Sequence, residues 1–223
     1  LPRPRDYYAA QGNATRLFFR NEKPEWPEGW DLFHREAFSA FHYVLSGGFS
    51  YGDYIMAAKI AQLEIQRRLG DALHVYHKRG GHILGICNGF QVLTEMHLLP
   101  GALMRNAGLK FVCRSVGLRV ATTDAAFTGA YGLGQEVTLP IAHHDGNFTI
   151  DSEGLKALQD QDRIAFTYLS NPNGATADIA GILSPNRRVL GMMPHPERAV
   201  ETAQGGVDGA ALFASLMGGM ALA

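Results

Sequence analysis

The chain has few cysteines and no long run of apolar residues. Cys87 and Cys113 are the only cysteines among its 223 residues, too few for the multi-disulfide framework of a small secreted domain. No stretch reaches the roughly 18 consecutive apolar residues of a membrane-spanning helix, and we expect no signal peptide. These absences predict a protein of a reducing compartment, and we expect it to be cytoplasmic.

An excess of positive charge is also missing. The 20 Lys and Arg residues are balanced by 21 Asp and Glu, for a formal net charge of -1. Because nucleic-acid surfaces and polybasic membrane patches depend on clustered positive charge, both classes are disfavoured. Small ligands and protein partners are favoured instead.

The composition suits one domain. Hydrophobic residues make up 46% of the chain, enough to bury a core. We therefore predict a single domain over residues 1–223. Its N-terminal segment, residues 1–40, is atypical, since it is polar and proline-containing and offers only residues 15–20 as a candidate strand.

Strand patterns alternate with helical patterns in the middle of the chain. The β-rich run HYVL at 42–45 precedes a helical pattern at 53–69, and HILGI at 82–86 precedes another at 89–99. The second helical pattern places Phe90, Leu93 and His97 on one face. Alternation of this kind predicts an α/β fold with an open, mostly parallel sheet and helices on both faces.

The pattern changes after residue 108. Residues 110–123 and 136–143 have strand character with no helix between them, which predicts an antiparallel excursion. RIAFTYLS and RRVLGMMPH predict two further strands. GVDGAALFASLMGG predicts a closing amphipathic helix.

Cys87 lies in the run GICNG, directly after a predicted strand. Ligands of open α/β sheets bind beyond the carboxyl ends of strands. Gly85 and Gly89 suit a tight strand-to-helix turn that projects the side chain between them, and the positive end of the following helix favours a thiolate. The pentapeptide alone leaves two interpretations open, a catalytic nucleophile or a small buried hydrophobe.

A nucleophile needs a base, and the run GMMPHPERA offers one. His195 and Glu197 are two residues apart, so in an extended segment their side chains point the same way. We expect Pro194 and Pro196 to stiffen this segment and to prevent helix formation. A carboxylate beside a histidine can orient it and favour its charged form. A solvated loop histidine beside an unrelated Glu197 is the alternative.

Two further runs are candidates for site residues. The run His143, His144 and Asp145 is the rival of His195 for the base. Its histidines and aspartate also suggest metal binding, but adjacent strand residues face opposite ways, so we predict no metal site. The glycine pair ending at Gly48 and the backbone N–H of Asn88 can form an oxyanion hole. An ordinary turn at the end of a strand is the alternative for the glycine pair.

Five runs in order closely resemble the class I glutamine amidotransferase family: GGFSYGDY, GICNGFQVL, PGALMRNAGLKFVCR, NPNGATADIAGIL and VLGMMPHPERA. GGFSYGDY and NAGLKF specifically resemble the glutaminase subunits of phosphoribosylformylglycinamidine synthase, an enzyme of purine synthesis. The resemblance covers about residues 46–215 and implies a flavodoxin-like sheet.

The resemblance implies three kinds of site residue, which are a catalytic triad of Cys87, His195 and Glu197, oxyanion amides at Gly48 and Asn88, and Gln91 beside the bound glutamine. It implies hydrolysis of glutamine to glutamate through a glutamyl thioester. The ammonia is then passed to a large ATP-dependent synthetase subunit, in a complex with a further small accessory subunit. No cofactor is expected on this chain, since ATP and magnesium are expected on the synthetase.

Two other functions stay open at this point. A cysteine hydrolase or stress-response protein of the wider cysteine-elbow group would have the same fold, but it would lack Gln91 and the His-Pro-Glu run. A non-catalytic assembly subunit would bind the synthetase without turnover, and the intact Cys87, His195 and Glu197 count against it.

Overall fold

The computed structural model describes residues 42–45 and 72–220. The predictions for residues 15–20, for the helix over 53–69 and for Gly48 lie outside these ranges. The strands are β1 His42–Leu45, β2 His82–Ile86, β3 Ala102–Met104, β4 Val112–Val120, β5 Glu136–His143, β6 Asn147–Thr149, β7 Ile164–Tyr168, β8 Ile179–Leu183 and β9 Val189–Met192. The helices are α1 Ala72–Lys78, α2 Asn88–Glu95, α3 Ser152–Asp160 and α4 Ala210–Met220, with short 3-10 turns at Thr176–Asp178, Pro196–Arg198 and Thr202–Gln204.

Within the described residues, seven strands form the main sheet, in the order β1-β2-β9-β8-β7-β4-β5. β1, β2 and β9 are parallel, with Ile86 opposite Met192 at the carboxyl ends of β2 and β9. The other neighbouring strands are antiparallel. β3 and β6 form a separate antiparallel pair.

The α/β class is confirmed, but the described sheet is mixed, with parallel pairing limited to β1, β2 and β9. The reason is visible between β8 and β9, which only residues 184–188 connect. A parallel connection needs a crossover of a dozen or more residues, so this link can form only an antiparallel pair. Strand β8 itself was not predicted from the sequence, although all five of its residues are buried.

The antiparallel excursion is confirmed by β4 and β5, which pair from Val112 opposite His143 to Arg119 opposite Glu136. β5 is at the edge of the sheet that the described residues form, and such a strand tolerates Pro140 because the missing N–H is not needed there. The carbonyl of Pro140 instead accepts the backbone N–H of His195 at 2.8 Å. The sheet therefore curls until its last strand lies against the segment that follows β9.

Helix α2 packs closely on the parallel strands. Phe90 and Leu93 are fully buried, and a Cβ at Gly191 would lie 2.1 Å from the Phe90 ring. The ring of Phe90 also stacks on Phe148, with centroids 5.6 Å apart. The helix is shorter than predicted, because His97 has φ 56 and lies beyond its end. The described helices include none long and apolar enough to cross a membrane.

Candidate active site

Cys87 occupies a strained turn between β2 and α2. Its backbone has φ 53 and ψ -108, which a residue with a Cβ adopts at a cost of about 1–3 kcal/mol. The N–H of Cys87 donates to the Met192 carbonyl at 2.8 Å, and its own carbonyl accepts from Phe90 and Gln91 at 3.0 and 3.2 Å. The predicted strand-to-helix turn is confirmed, and these three bonds hold it in its strained form.

Glycine is required where the turn begins. A Cβ at Gly85 would lie 2.4 Å from the Leu93 side chain and 2.8 Å from the backbone of Gly89. Any larger residue would push α2 away from β2. The absence of a side chain at Gly85 thus allows the helix to start directly after the strand.

The thiol of Cys87 lies in a buried setting. The residue is 8% exposed, and its Sγ is 3.7 Å from the carbonyl oxygen of Ala142 on β5. Tyr168 is buried, and its burial raises the pKa of its phenol well above the usual value. The phenol is also close enough to Cys87 for a charge on the cysteine to act on it. The thiol therefore has a protonated phenol and a backbone carbonyl near it.

His195 and Glu197 form a close pair. Nδ1 of His195 lies 2.6 Å from Oε1 of Glu197, and the imidazole is almost completely buried. The expectation that the prolines prevent helix was wrong, because Pro196–Arg198 forms a 3-10 turn with proline in its first position, where no N–H is needed. This turn, rather than an extended segment, brings the carboxylate to the ring.

The sheet places Cys87 and His195 at the same edge. β2 and β9 are parallel neighbours whose last residues, Ile86 and Met192, are in register. Cys87 follows the first strand directly and His195 follows the second by three positions. The arrangement is the one in which the carboxyl ends of adjacent parallel strands build a site.

Gln91 lies one helical turn after Cys87. Its Nε2 donates to the carbonyl of Asp145 at 2.6 Å, so it ties α2 to the loop after β5. The side-chain oxygen of Asn88 is buried with no hydrogen-bond partner among the described residues. The backbone N–H of Asn88 comes directly after Cys87, the position at which the sequence predicts an oxyanion amide.

The loop over residues 143–147 is held by two residues, Asn106 and Asn173, that were not predicted as site residues from the sequence. Both amide hydrogens of Asn106 are used by the carbonyls of Lys110 and His143, at 2.8 and 3.0 Å. Asn173 donates to the carbonyl of Gly146 at 2.7 Å. Both asparagines lie in runs that resemble the amidotransferases, and that membership was the only signal for them.

The two adjacent histidines have different surroundings. Nδ1 of His143 is 3.0 Å from Oδ1 of Asn106, and burial is the main reason that its pKa falls to about 4. His144 is more exposed and approaches the Leu109 carbonyl at 3.3 Å. Asp145 pairs with Arg105 at 3.1 Å. The described residues contain no cluster of three or more His, Cys, Asp or Glu suited to a metal ion.

Residues 33–209 match the family model of the CobB/CobQ-like glutamine amidotransferase domain. The chain is 64% identical over 176 residues to phosphoribosylformylglycinamidine synthase subunit PurQ of Cereibacter sphaeroides, which covers 79% of this chain and 78% of that relative. It is 49% identical over 215 residues to the subunit PurQ of Roseobacter denitrificans, covering 96% and 90%.

The chain is also similar to chains of solved structures. The structure of PurLQS from Thermotoga maritima contains a chain that is 40% identical, with a TM-score of 0.69 and coverage of 79% of this chain and 78% of that one. The glutaminase domain of Trypanosoma brucei CTPS, with bound acivicin, is 15% identical with a TM-score of 0.55, and covers 96% and 83%. The second likeness concerns the fold alone.

Proposed function

The chain belongs to the CobB/CobQ-like glutamine amidotransferase family, and from that premise we propose that it is the glutaminase subunit of a phosphoribosylformylglycinamidine synthase. Relatives at 64% and 49% identity are named phosphoribosylformylglycinamidine synthase subunit PurQ. The observation that carries the proposal is the strained Cys87 turn at the same sheet edge as the His195–Glu197 pair.

The reaction assigns one role to each of the three residues. His195 takes the thiol proton of Cys87, and the thiolate attacks the side-chain amide carbon of glutamine. His195 then gives that proton to the leaving nitrogen, so the C–N bond breaks, ammonia leaves and a glutamyl thioester stays on Cys87. Water, deprotonated by His195, hydrolyses the thioester to glutamate and restores the thiol.

Glu197 orients the base. With Oε1 2.6 Å from Nδ1, the carboxylate accepts the Nδ1–H and leaves Nε2 of His195 for proton transfer. This same Nε2 is buried and has no hydrogen-bond partner among the described residues, as an atom reserved for the reaction requires. The negative charge of Glu197 also stabilises the imidazolium that forms during turnover.

The remaining predicted residues act on the substrate. The backbone N–H groups of Asn88 and Gly48 donate to the oxyanion of the tetrahedral intermediate. Gln91, held between α2 and the loop after β5, lies beside the bound glutamine. Gly48 rests on the family resemblance.

Ammonia is a base that water converts to ammonium, which has no lone pair for attack, so the ammonia must pass directly to the enzyme that uses it. A relative of known structure is part of an assembly named PurLQS. We assign the ammonia to a large synthetase subunit that binds ATP and magnesium and aminates formylglycinamide ribonucleotide, with a small accessory subunit completing the complex. The chain itself needs no cofactor for amide hydrolysis.

The test is synthesis of the aminated product by the reconstituted complex from either glutamine or ammonium salts. The Cys87→Ala chain should lose glutamine-dependent synthesis and keep ammonia-dependent synthesis, because the synthetase site is intact. Unchanged glutamine-dependent synthesis by this variant would rule out the proposed function. The matched control is Cys113→Ala, which alters an exposed cysteine on β4 and should keep both activities.

A further inference from the structure

Two buried imidazole nitrogens in the candidate site have no hydrogen-bond partner among the described residues. They are Nε2 of His195 and Nε2 of His143, whose residues are 2% and 3% exposed. Proton transfer accounts for the first, but the reaction above gives the second no role. A buried polar atom without a partner costs free energy, so the His143 nitrogen requires an explanation.

His143 lies in the wall of the site. It is the last residue of β5, and the residue before it, Ala142, has its carbonyl 3.7 Å from Sγ of Cys87. Two residues later the carbonyl of Asp145 accepts from Gln91. His143 is also close enough to His195 for their charges to interact. Its chain neighbours on both sides thus contact the turn and helix that carry the nucleophile.

Asn106 determines which nitrogen of His143 carries the proton. The side-chain NH₂ of Asn106 donates both of its hydrogens, to the carbonyls of Lys110 and His143. Oδ1 of Asn106 can only accept, and it accepts the Gly146 N–H at 3.1 Å. This oxygen is also 3.0 Å from Nδ1 of His143. Nδ1 must therefore be the protonated nitrogen, and Nε2 carries a lone pair.

The imidazole of His143 is also held in position and kept uncharged. A Cβ at Gly146 would lie 2.3 Å from Nδ1, so the loop packs directly on the imidazole. Burial and then the charge of His195 disfavour protonation, and a backbone hydrogen bond and Asp145 offset this only in part. His143 is consequently an uncharged acceptor, close enough to His195 for their charges to interact.

We propose that Nε2 of His143 accepts a hydrogen bond from an N–H of the side-chain amide of glutamine. The inference rests on the proposed function and deepens it. The amide NH₂ has two hydrogens and needs acceptors, and an unpaired buried lone pair needs a donor. Among the described residues, His143 is a buried acceptor of this kind that no step of the reaction already uses.

The bond aligns the leaving group. As the thiolate attacks, the amide nitrogen becomes pyramidal and its lone pair must turn toward the proton on His195. Holding one of the existing N–H bonds at His143 favours that orientation. The nitrogen leaves as ammonia with its two original hydrogens and the proton from His195, while His143 gains and loses no proton.

The test compares two substrates in the full chain with its synthetase partner. Glutamine has an N–H on its leaving group, whereas L-glutamate γ-methyl ester has none. His143→Met removes the acceptor, and His143→Gln keeps an oxygen near the position of Nε2. We expect His143→Met to lower kcat/KM for glutamine about tenfold and that for the ester by less than about twofold. In His143→Gln, the ratio of kcat/KM for glutamine to kcat/KM for the ester should stay within about threefold of the wild-type ratio.

An equal fall for both substrates in His143→Met would show a merely structural role and overturn the proposal, as would unchanged glutamine hydrolysis. If His143→Met does not fold, His143→Gln decides instead. A ratio of kcat/KM for glutamine to kcat/KM for the ester that falls more than about threefold below the wild-type ratio in His143→Gln contradicts the proposal. Nitrogen-15 NMR of the Cys87→Ala chain gives a readout independent of turnover, since Nε2 should be unprotonated and should shift when glutamine binds. A wild-type chain that hydrolyses neither substrate would instead overturn the proposed function, and the NMR result would still decide the role of His143.

Discussion

The backbone N–H of Cys87 donates to the carbonyl of Met192 at 2.8 Å. This bond extends the parallel pairing of β2 and β9 by one residue beyond Ile86. It fixes Cys87 relative to the strand that leads to His195, so the candidate site depends on the sheet rather than on a loop. Variants that disturb the β2–α2 turn should therefore affect stability and catalysis together.

Gly85 provides the sharpest test of the close approach of α2 to β2. Gly85→Ala places a Cβ 2.4 Å from the Leu93 side chain and 2.8 Å from the Gly89 backbone, and we expect it to lower the free energy of unfolding by about 2 kcal/mol or more. Gly108→Ala is the matched control, because nothing lies within 4 Å of its Cβ. Urea unfolding measures both, and equal stabilities of the two variants would contradict the packing described here.

Strain at Cys87 should be measurable without reference to activity. Glycine adopts φ 53 and ψ -108 freely, so Cys87→Gly should be about 1 kcal/mol more stable than Cys87→Ala. The reverse order is expected at an ordinary helical position, for which Ala157→Gly in α3 is the control. If urea unfolding finds the alanine variant at 87 more stable, the turn is not strained.

Glu197 should matter through its charge and its hydrogen bond to His195. Glu197→Gln keeps the shape of the side chain but removes the negative charge next to the imidazole, and we expect kcat/KM for glutamine to fall about 100-fold or more. Glu201→Gln, on an exposed carboxylate in the next short segment, should leave kcat/KM unchanged. A similar fall in kcat/KM for both substitutions would contradict a specific role of Glu197 in orienting His195.

Acid should destabilise the fold partly through His143. Its pKa is about 4 in the folded chain and near 6.5 when unfolded, so between these values the unfolded state binds the extra proton. The contribution of the neutral His143 to the free energy of unfolding is thus fully present above pH 6.5. It falls by on the order of 3 kcal/mol as the pH drops toward 4. The free energy of unfolding of His143→Gln should fall less steeply over that range, and parallel pH profiles would contradict a neutral, buried His143.

The sequence predicted the features that depend on neighbouring residues. Gly85 and Gly89 indicated the turn at Cys87. The spacing of His195 and Glu197 indicated their pairing, although a 3-10 turn and not the expected extended segment brings them together. Both rest on local geometry, which short motifs encode.

Features that depend on distant residues were not predictable in this way. Asn106 and His143 are 37 positions apart, and no periodicity in the chain connects them. The curl that brings Pro140 to His195 likewise arises from twist accumulated over several strands, which the pattern of any one strand does not specify. β8 was missed because a short, fully buried strand lacks the alternation by which strands are recognised.

Mass spectrometry of the chain during turnover tests the central claim most directly. Acid quenching in the presence of glutamine, followed by peptide mapping, should find a glutamyl thioester on the peptide that contains Cys87. The peptide that contains Cys113, the other cysteine, serves as an internal control and should carry no adduct. An adduct elsewhere, or continued glutamine hydrolysis by a Cys87→Ala chain, would contradict the assignment of Cys87 as the nucleophile.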